Sequence, residues 1–280
     1  MIPLFVGVGG LGIGLAYTSL GLLSAWEAVS LHRYRGWSRF GLGFSLMAAS
    51  CGPHHLTHGW HVLQSGNASG PLVAATLIGL PAGLIFVWLR IEAMCGGRGE
   101  RLIAASAHQA ILLAGALAMV AGGLAAWSFF QPGSGVPLEI ICTSLGAITL
   151  GANAGSDVSY ASVKFLANIF VVATYGMVGW YLADRQVRRY LTSDVWSLSG
   201  VSLTGVFFTC AQMHLIDATT DGDGLMLVFD LLGVPASVYF LWVVKRLHND
   251  SVMDWNRRPF VGAAGAPARP SPWSNGIARR

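Results

Sequence analysis

The feature that most constrains this chain is a succession of apolar runs, each long enough to cross a bilayer as an α-helix. About 20 apolar residues span the hydrocarbon core as a helix, whereas a spanning strand needs only about 10. Of the 280 residues, 54% are hydrophobic and only 11% are charged, against roughly 25% charged residues in soluble domains. The sequence therefore predicts an all-α, polytopic transmembrane helix bundle in contact with the lipid bilayer.

Seven spans fit the apolar runs best, arranged as three helix pairs plus one helix. The three pairs and the last span cover residues 4–63, 71–128, 158–216 and 224–245. An apolar stretch at 139–153 is too short to cross comfortably, so we expect a short helix on the outer face there, with an eighth span as the alternative. Residues 1–246 form the predicted transmembrane domain. Residues 247–280 are rich in Pro, Gly, Ala and Arg. This composition predicts a disordered cytoplasmic tail.

Basic residues mark one side of the predicted bundle. Arginines follow the first, third, fifth and last spans, whereas the opposite connections carry almost none. The excess of Lys and Arg on the cytoplasmic side of membrane proteins predicts that the N-terminus lies outside and the C-terminus inside. The first run has no basic segment before it and no cleavage pattern, so we expect a mature span in the plasma (cytoplasmic) membrane. Because the positive charge lies in short loops, we do not expect nucleic acid as a partner.

The pattern Cys-x-x-x-His-Leu occurs near the end of two predicted spans, at residues 51–56 and 210–215. Positions four apart lie on the same face of a helix, so each copy directs a thiol and an imidazole to one side. Both groups are ligands for transition metals. Ionisable residues within a span are functional candidates by default, and the repeat predicts that His55 and His214 converge near the outer face.

Additional donors surround this repeat in the sequence. The candidate metal ligands are His54, His55, His58, His214, Met213, Cys51 and Cys210. Imidazole, thiolate and thioether groups together favour copper, with zinc or a haem held between two imidazoles as alternatives. For the two cysteines, small hydrophobic packing one turn below the histidines is the competing interpretation.

The pattern resembles the MHYT sensor domain, in which helix pairs with short basic inner loops end in a Met-His motif. The resemblance covers roughly residues 4–217. Met213-His214-Leu215-Ile216 looks like one copy of the motif and His54-His55-Leu56-Thr57 like a second, whereas the expected middle copy, within 118–130, has no histidine. The resemblance implies a copper site with His55, His214 and Met213 as ligands. It also implies a sensor of redox state or of a diatomic gas, which would act through a separate cytoplasmic signalling or redox partner.

A membrane enzyme is the main alternative. Ser50-x-x-x-His54 resembles the Ser-x-x-x-His element of seven-helix zinc hydrolases related to ceramidases and progestin receptors. Those proteins also carry His-x-x-x-His on the last span, where this chain has Asp230. A metal-dependent membrane hydrolase and a haem-binding redox protein therefore remain as alternatives to the sensor, and the sequence assigns no catalytic residue.

Overall fold

The structure, a computed structural model, describes residues 1–129, 160–219, 224–249 and 260–261. Its helices are α1 (Ile2–Arg35), α2 (Arg39–Ser65), α3 (Gly70–Met94), α4 (His108–Phe129), α5 (Tyr160–Ser193), α6 (Leu198–Thr219) and α7 (Gly224–Asn249). The all-α bundle expected from the sequence is thus confirmed. The expected short helix at 139–153 lies outside the described residues.

Five of the helices, α1, α3, α5, α6 and α7, are long and apolar enough to cross a membrane, so the chain is a membrane protein. The helix α2, which carries four histidines, is not among these five. The helix α4 contains a shorter apolar stretch. Helices α1, α3, α5 and α7 begin at the end of the bundle that carries the histidine-rich segment, which we call the histidine end. The opposite end, where α2, α4 and α6 begin, we call the arginine end.

At the arginine end, a short strand and a capping serine precede each of the helices α2 and α6. The strands are β1 (Trp37–Ser38), β2 (Leu102–Ala104), β3 (Val195–Ser197) and β4 (Phe260–Val261), and the antiparallel pairs are β1 with β4 and β2 with β3. Ser38 Oγ accepts a hydrogen bond from Gly41 N, and Ser197 Oγ accepts one from Gly200 N, both at 3.0 Å. Each serine satisfies an amide of the first helical turn that has no partner within the helix.

The two identical caps belong to a repeat that is longer than the Cys-x-x-x-His-Leu pattern. The sequence of α2 aligns with that of α6 when its residue numbers are shifted by 159. The identical pairs are Trp37 and Trp196, Ser38 and Ser197, Gly41 and Gly200, Cys51 and Cys210, His55 and His214, and Leu56 and Leu215. The following helices also match, because α3 and α7 share the pattern Gly-x-Pro-Ala-x-x-x-Phe-x-Trp, beginning at Gly79 and at Gly233.

The packing of the helices follows the same repeat. The helix α3 packs against α1 and α6, and α7 packs against α5 and α2. A Cβ atom at Gly79 would lie 3.1 Å from Thr209 Oγ1, and one at Gly233 would lie 3.0 Å from Ser50 Oγ. Thr209 and Ser50 are themselves 159 positions apart. The bundle therefore consists of two three-helix units, α1–α3 and α5–α7, while α4 packs outside them against α3 and α6.

An approximate two-fold axis relates the two units. Cys51 interacts with Cys210 and His58 contacts Asp217, and each of these pairs joins equivalent positions of α2 and α6. Two equivalent residues touch only where they lie beside a symmetry axis. Since equivalent helices run in the same direction, the axis is parallel to the bundle, the arrangement of a parallel repeat in a membrane protein.

Candidate metal centre

Three helices bring a cluster of imidazoles and carboxylates together near the histidine end. His54 and His58 lie one turn apart on α2, His214 and Asp217 one turn apart on α6, and Asp230 lies on α7. His54, His214, Asp217 and Asp230 are each at most 1% exposed. We call these five residues the acidic site.

Asp217 joins the two histidines of α2. One oxygen of its carboxylate contacts His54 Nε2, and the other contacts His58 Nε2. The side chain of His58 is 16% exposed, so it forms the most accessible edge of the acidic site. A single carboxylate therefore fixes both rings of α2 against α6.

Asp230 approaches the site from the opposite side. Its Oδ1 atom lies 3.5 Å from His54 Nε2 and 3.6 Å from His214 Nδ1. The rings of His54 and His214 stack with their centroids 4.7 Å apart. Stacked rings do not direct their nitrogens at each other, so this arrangement does not favour a haem between them.

Asn168 of α5 sets which nitrogen of His214 carries the proton. The amide Nδ2 of Asn168 donates to the carbonyl oxygen of Lys164 at 3.0 Å. A carbonyl can only accept, so the other atom of the amide, Oδ1, is the one that faces His214 Nδ1 at 2.6 Å. His214 Nδ1 must therefore donate, and its Nε2 atom keeps a free lone pair. In metal-bound histidines, one ring nitrogen commonly donates to such an acceptor and leaves the other nitrogen to bind the metal.

Several polar atoms of the acidic site lack hydrogen-bond partners among the described residues. They are Nε2 of His214 and both carboxylate oxygens of Asp230, whereas Nε2 of His54 and Oδ2 of Asp217 contact each other. Buried polar groups without partners are costly, and buried charges more so. Lys164, which is also buried, acts electrostatically on Asp230 and His58.

These donors fit a metal ion in their number and spacing. Two groups of three place one ligand atom per residue within 4.8 Å of each other: His54, His58 and Asp217, and His54, His214 and Asp230. Ligands of a tetrahedral ion with bonds of about 2.1 Å lie roughly 3.4 Å apart, close to the 3.5 Å between Asp230 Oδ1 and His54 Nε2. Because both groups use His54, they define one site with alternative ligands.

The other candidates from the sequence lie beside this site. His55 and Met213 line a small pocket next to it, together with His58. The ring that stacks on His214 is that of His54, and the predicted convergence of His55 and His214 stays a prediction. Cys51 and Cys210 are buried below the histidines, where Cys51 Sγ lies 3.7 Å from the hydroxyl of Tyr175. Neither cysteine belongs to the groups with metal-ligand spacing within the described part of the chain.

Sequence reasoning did not identify Asp217, Asp230 or Asn168 as site residues. A signal existed for Asp217, because it lies three residues after His214 and therefore on the same helix face. For Asp230 the signal was its match with Thr76 in the repeat of α3 and α7. Asn168 carries no local signal, since its role depends on the packing of α5 against α6.

Comparisons with known proteins add no identity to this description. No protein-family model, no curated protein and no solved structure matches the chain.

Proposed function

We propose that this chain is an integral membrane metal-binding protein that senses the occupancy of the acidic site by a divalent metal ion. The observation that carries the proposal is the cluster of three imidazoles and two carboxylates, buried and without a full set of partners. An ion at this position would compensate the buried carboxylates of Asp217 and Asp230 and use the free nitrogen of His214.

The donor types favour a divalent ion. Imidazole and carboxylate suit Zn²⁺, Fe²⁺, Mn²⁺ and Cu²⁺, whereas Cu(I) prefers sulfur. The sulfur atoms of Cys51, Cys210 and Met213 lie outside the two groups of ligands. We therefore propose a zinc-like divalent ion for this site. Copper, expected from the resemblance to MHYT domains, remains a prediction.

A sensory role is supported by the origin of the ligands. His54 and His58 come from the first three-helix unit, whereas His214, Asp217 and Asp230 come from the second. An ion that binds both units favours the arrangement in which the two sets of ligands are close together, and its loss releases that constraint. A typical catalytic zinc site has three protein ligands and keeps a fourth position open. The acidic site offers five donors, which is more than such a catalytic site uses.

Metal analysis of purified variants tests the proposal. His214→Ala and Asp230→Asn should each weaken binding of Zn²⁺ by more than about 100-fold, since even the outer partners of metal ligands contribute 10–100-fold. His61→Ala, a histidine exposed at the end of α2, is the matched control and should bind as the parent protein does. The proposal fails if neither variant loses metal while both remain folded.

A metal-dependent hydrolase is the second candidate, and Ser50 is the observation that favours it. Ser50 is fully buried one turn below His54, on the same face of α2. Its hydroxyl donates to the carbonyl oxygen of Phe229, the neighbour of Asp230, at 3.0 Å. The group His54, His214 and Asp230 would leave a fourth position for water. Turnover of ester or amide lipids that is lost in Asp230→Asn would favour the hydrolase over the sensor.

A further inference from the structure

The tryptophans that end the shared pattern of α3 and α7 both have guanidinium groups over their rings at the arginine end. Cζ of Arg101 lies 5.6 Å from the ring centroid of Trp88 on α3. Trp242 on α7 has two such neighbours, since Cζ of Arg39 lies 5.4 Å and Cζ of Arg246 lies 5.9 Å from its ring centroid. Cation–π attraction of this kind holds a guanidinium group beside an exposed ring. We call Trp242, Arg39 and Arg246 the arginine–tryptophan corner.

The two-fold repeat relates this corner to the one on α3, but with one charge reversed. Leu198, the equivalent of Arg39, donates its amide to the carbonyl oxygen of Arg101 at 2.9 Å, so Arg101 supplies a guanidinium group beside the start of α6. One turn after its tryptophan, α3 has Glu92 where α7 has Arg246. Arg101 Nη2 donates to Glu92 Oε1 at 2.7 Å. The α3 corner thus pairs its guanidinium group with a carboxylate of the chain, whereas the α7 corner brings two guanidinium groups to one ring.

Arg39 is the member of the arginine–tryptophan corner that calls for an external anion. Its Nε atom is buried and has no hydrogen-bond partner among the described residues. A buried donor on a charged group is costly without an acceptor. Guanidinium groups form short, charge-assisted hydrogen bonds with phosphate as well as with carboxylate. A phosphate group at the corner would therefore take the role that Glu92 has on α3.

The arginine–tryptophan corner lies at the membrane end of α7. The apolar span within this helix is Met226–Arg246, so Arg246 is its last residue. Trp242 precedes Arg246 by four residues and lies about 6 Å deeper along the helix, and its ring is 44% exposed. Tryptophan rings favour the boundary between headgroups and acyl chains, and basic residues at the ends of spans attract anionic lipids. A phospholipid would reach the corner without leaving the bilayer.

We propose that the arginine–tryptophan corner is a binding site for an anionic phospholipid, whose phosphate accepts hydrogen bonds from Arg39 and Arg246 while its glycerol region packs on Trp242. A zwitterionic lipid binds less well, because its ammonium group would approach the second guanidinium group. Arg39 belongs to the first three-helix unit and the other two residues to the second, so the bound lipid also holds α2 against α7. The site does not require a metal ion at the acidic site.

Native mass spectrometry of the full chain tests the proposal, with the protein released from detergent micelles that contain phosphatidylglycerol and phosphatidylcholine. We expect the parent protein to retain phosphatidylglycerol in preference to phosphatidylcholine. Arg39→Gln and Arg246→Gln should each lower this preference by more than about fivefold, the contribution of a basic residue that is merely near an anionic surface. Arg188→Gln removes a more exposed guanidinium group from α5. It is the matched control and should keep the preference.

Arg246→Glu is the sharpest variant, because it gives α7 the carboxylate that α3 has at Glu92. This carboxylate should pair with Arg39 and abolish the preference for phosphatidylglycerol. Thermal unfolding in detergent separates a lipid from free phosphate: phosphatidylglycerol should raise the melting temperature of the parent protein, and inorganic phosphate should not. The proposal is overturned if phosphatidylglycerol is not preferred, if the preference survives in Arg246→Glu, if Arg188→Gln lowers it as much as Arg39→Gln does, or if inorganic phosphate stabilises the protein equally.

Discussion

At the scale of single residues, Asn168 contributes to the acidic site without being a candidate ligand. Its orientation is fixed by the carbonyl of Lys164, and this orientation in turn determines the tautomer of His214. In the other unit, with Tyr17 matched to Tyr175, the equivalent position is Gly10, which has no side chain and cannot supply such an acceptor to His55. The acidic site and the small pocket therefore differ in two ways. Only the acidic site has a side-chain acceptor, Asn168, for Nδ1 of its histidine, and only the acidic site has the carboxylate of Asp230.

We expect Asn168→Leu to weaken metal binding at the acidic site by about 10–100-fold, because His214 loses the acceptor that fixes its proton. The ¹⁵N chemical shifts of His214 in the metal-free protein report the tautomer directly, so this readout does not depend on metal. Asn168→Asp keeps an acceptor oxygen and should preserve the Nδ1-protonated form. Asn67→Leu, at an exposed asparagine, is the control. An unchanged tautomer in Asn168→Leu would contradict the role assigned to Asn168.

At the scale of elements, the contact between α1 and α2 depends on glycines. A Cβ atom at Gly59 would lie 2.7 Å from the carbonyl oxygen of Gly7 and 2.7 Å from the amide nitrogen of Leu11. Both of these atoms belong to the backbone of α1, so no side-chain rotation relieves the contact. Small residues at helix interfaces allow such close approach in membrane proteins, and here the approach places His55 and His58 next to α1.

We predict that Gly59→Ala destabilises the protein by about 1–3 kcal/mol, the usual cost of overpacking an interface. Thermal unfolding in detergent measures the change. Gly115→Ala on α4, where an added Cβ would meet nothing within 4 Å, provides the matched control and should be neutral or slightly stabilising, since alanine favours helix. Equal melting temperatures for Gly59→Ala and the parent protein would exclude the close contact between α1 and α2.

At the scale of the whole molecule, we predict that the arginine end faces the cytoplasm. The expectation follows from the distribution of Lys and Arg between the two sets of connections. In a Cys142→Ser background, Cys95, exposed after α3 at the arginine end, should react with an impermeant thiol reagent only after the membrane is opened. A cysteine in place of Gln64, exposed at the histidine end, should react in intact cells. The reverse pattern would invert the orientation.

The two-fold repeat places two clusters of different composition, the acidic site and the small pocket, next to each other. Equivalent positions on the axis, such as His58 and Asp217, contact each other, and His58 borders both clusters. Residues farther from the axis differ between the two units, whereas Gly79 and Gly233 make equivalent helix contacts in both. The two three-helix units thus share the same helix packing although the side chains around their histidines differ.

The sequence by itself determined the class of fold and the side of the bundle that carries the chemistry. Apolar length predicts helices in a membrane directly, because insertion depends on the composition of each segment and needs no knowledge of its neighbours. The Cys-x-x-x-His-Leu repeat directed attention to the ends of α2 and α6, where the acidic site lies. Local periodicity also placed the thiol and the imidazole of each copy on one helix face.

Only the tertiary structure decided which donors share a site. His54 and His55 are adjacent in sequence but lie about 100° apart around α2, so one faces α7 and the acidic site while the other faces α1 and the pocket. The sequence contains both histidines but does not state which neighbour each one meets. Asp217, Asp230 and Asn168 join His214 through contacts among α2, α5, α6 and α7, and such contacts depend on the packing of helices that are far apart along the chain.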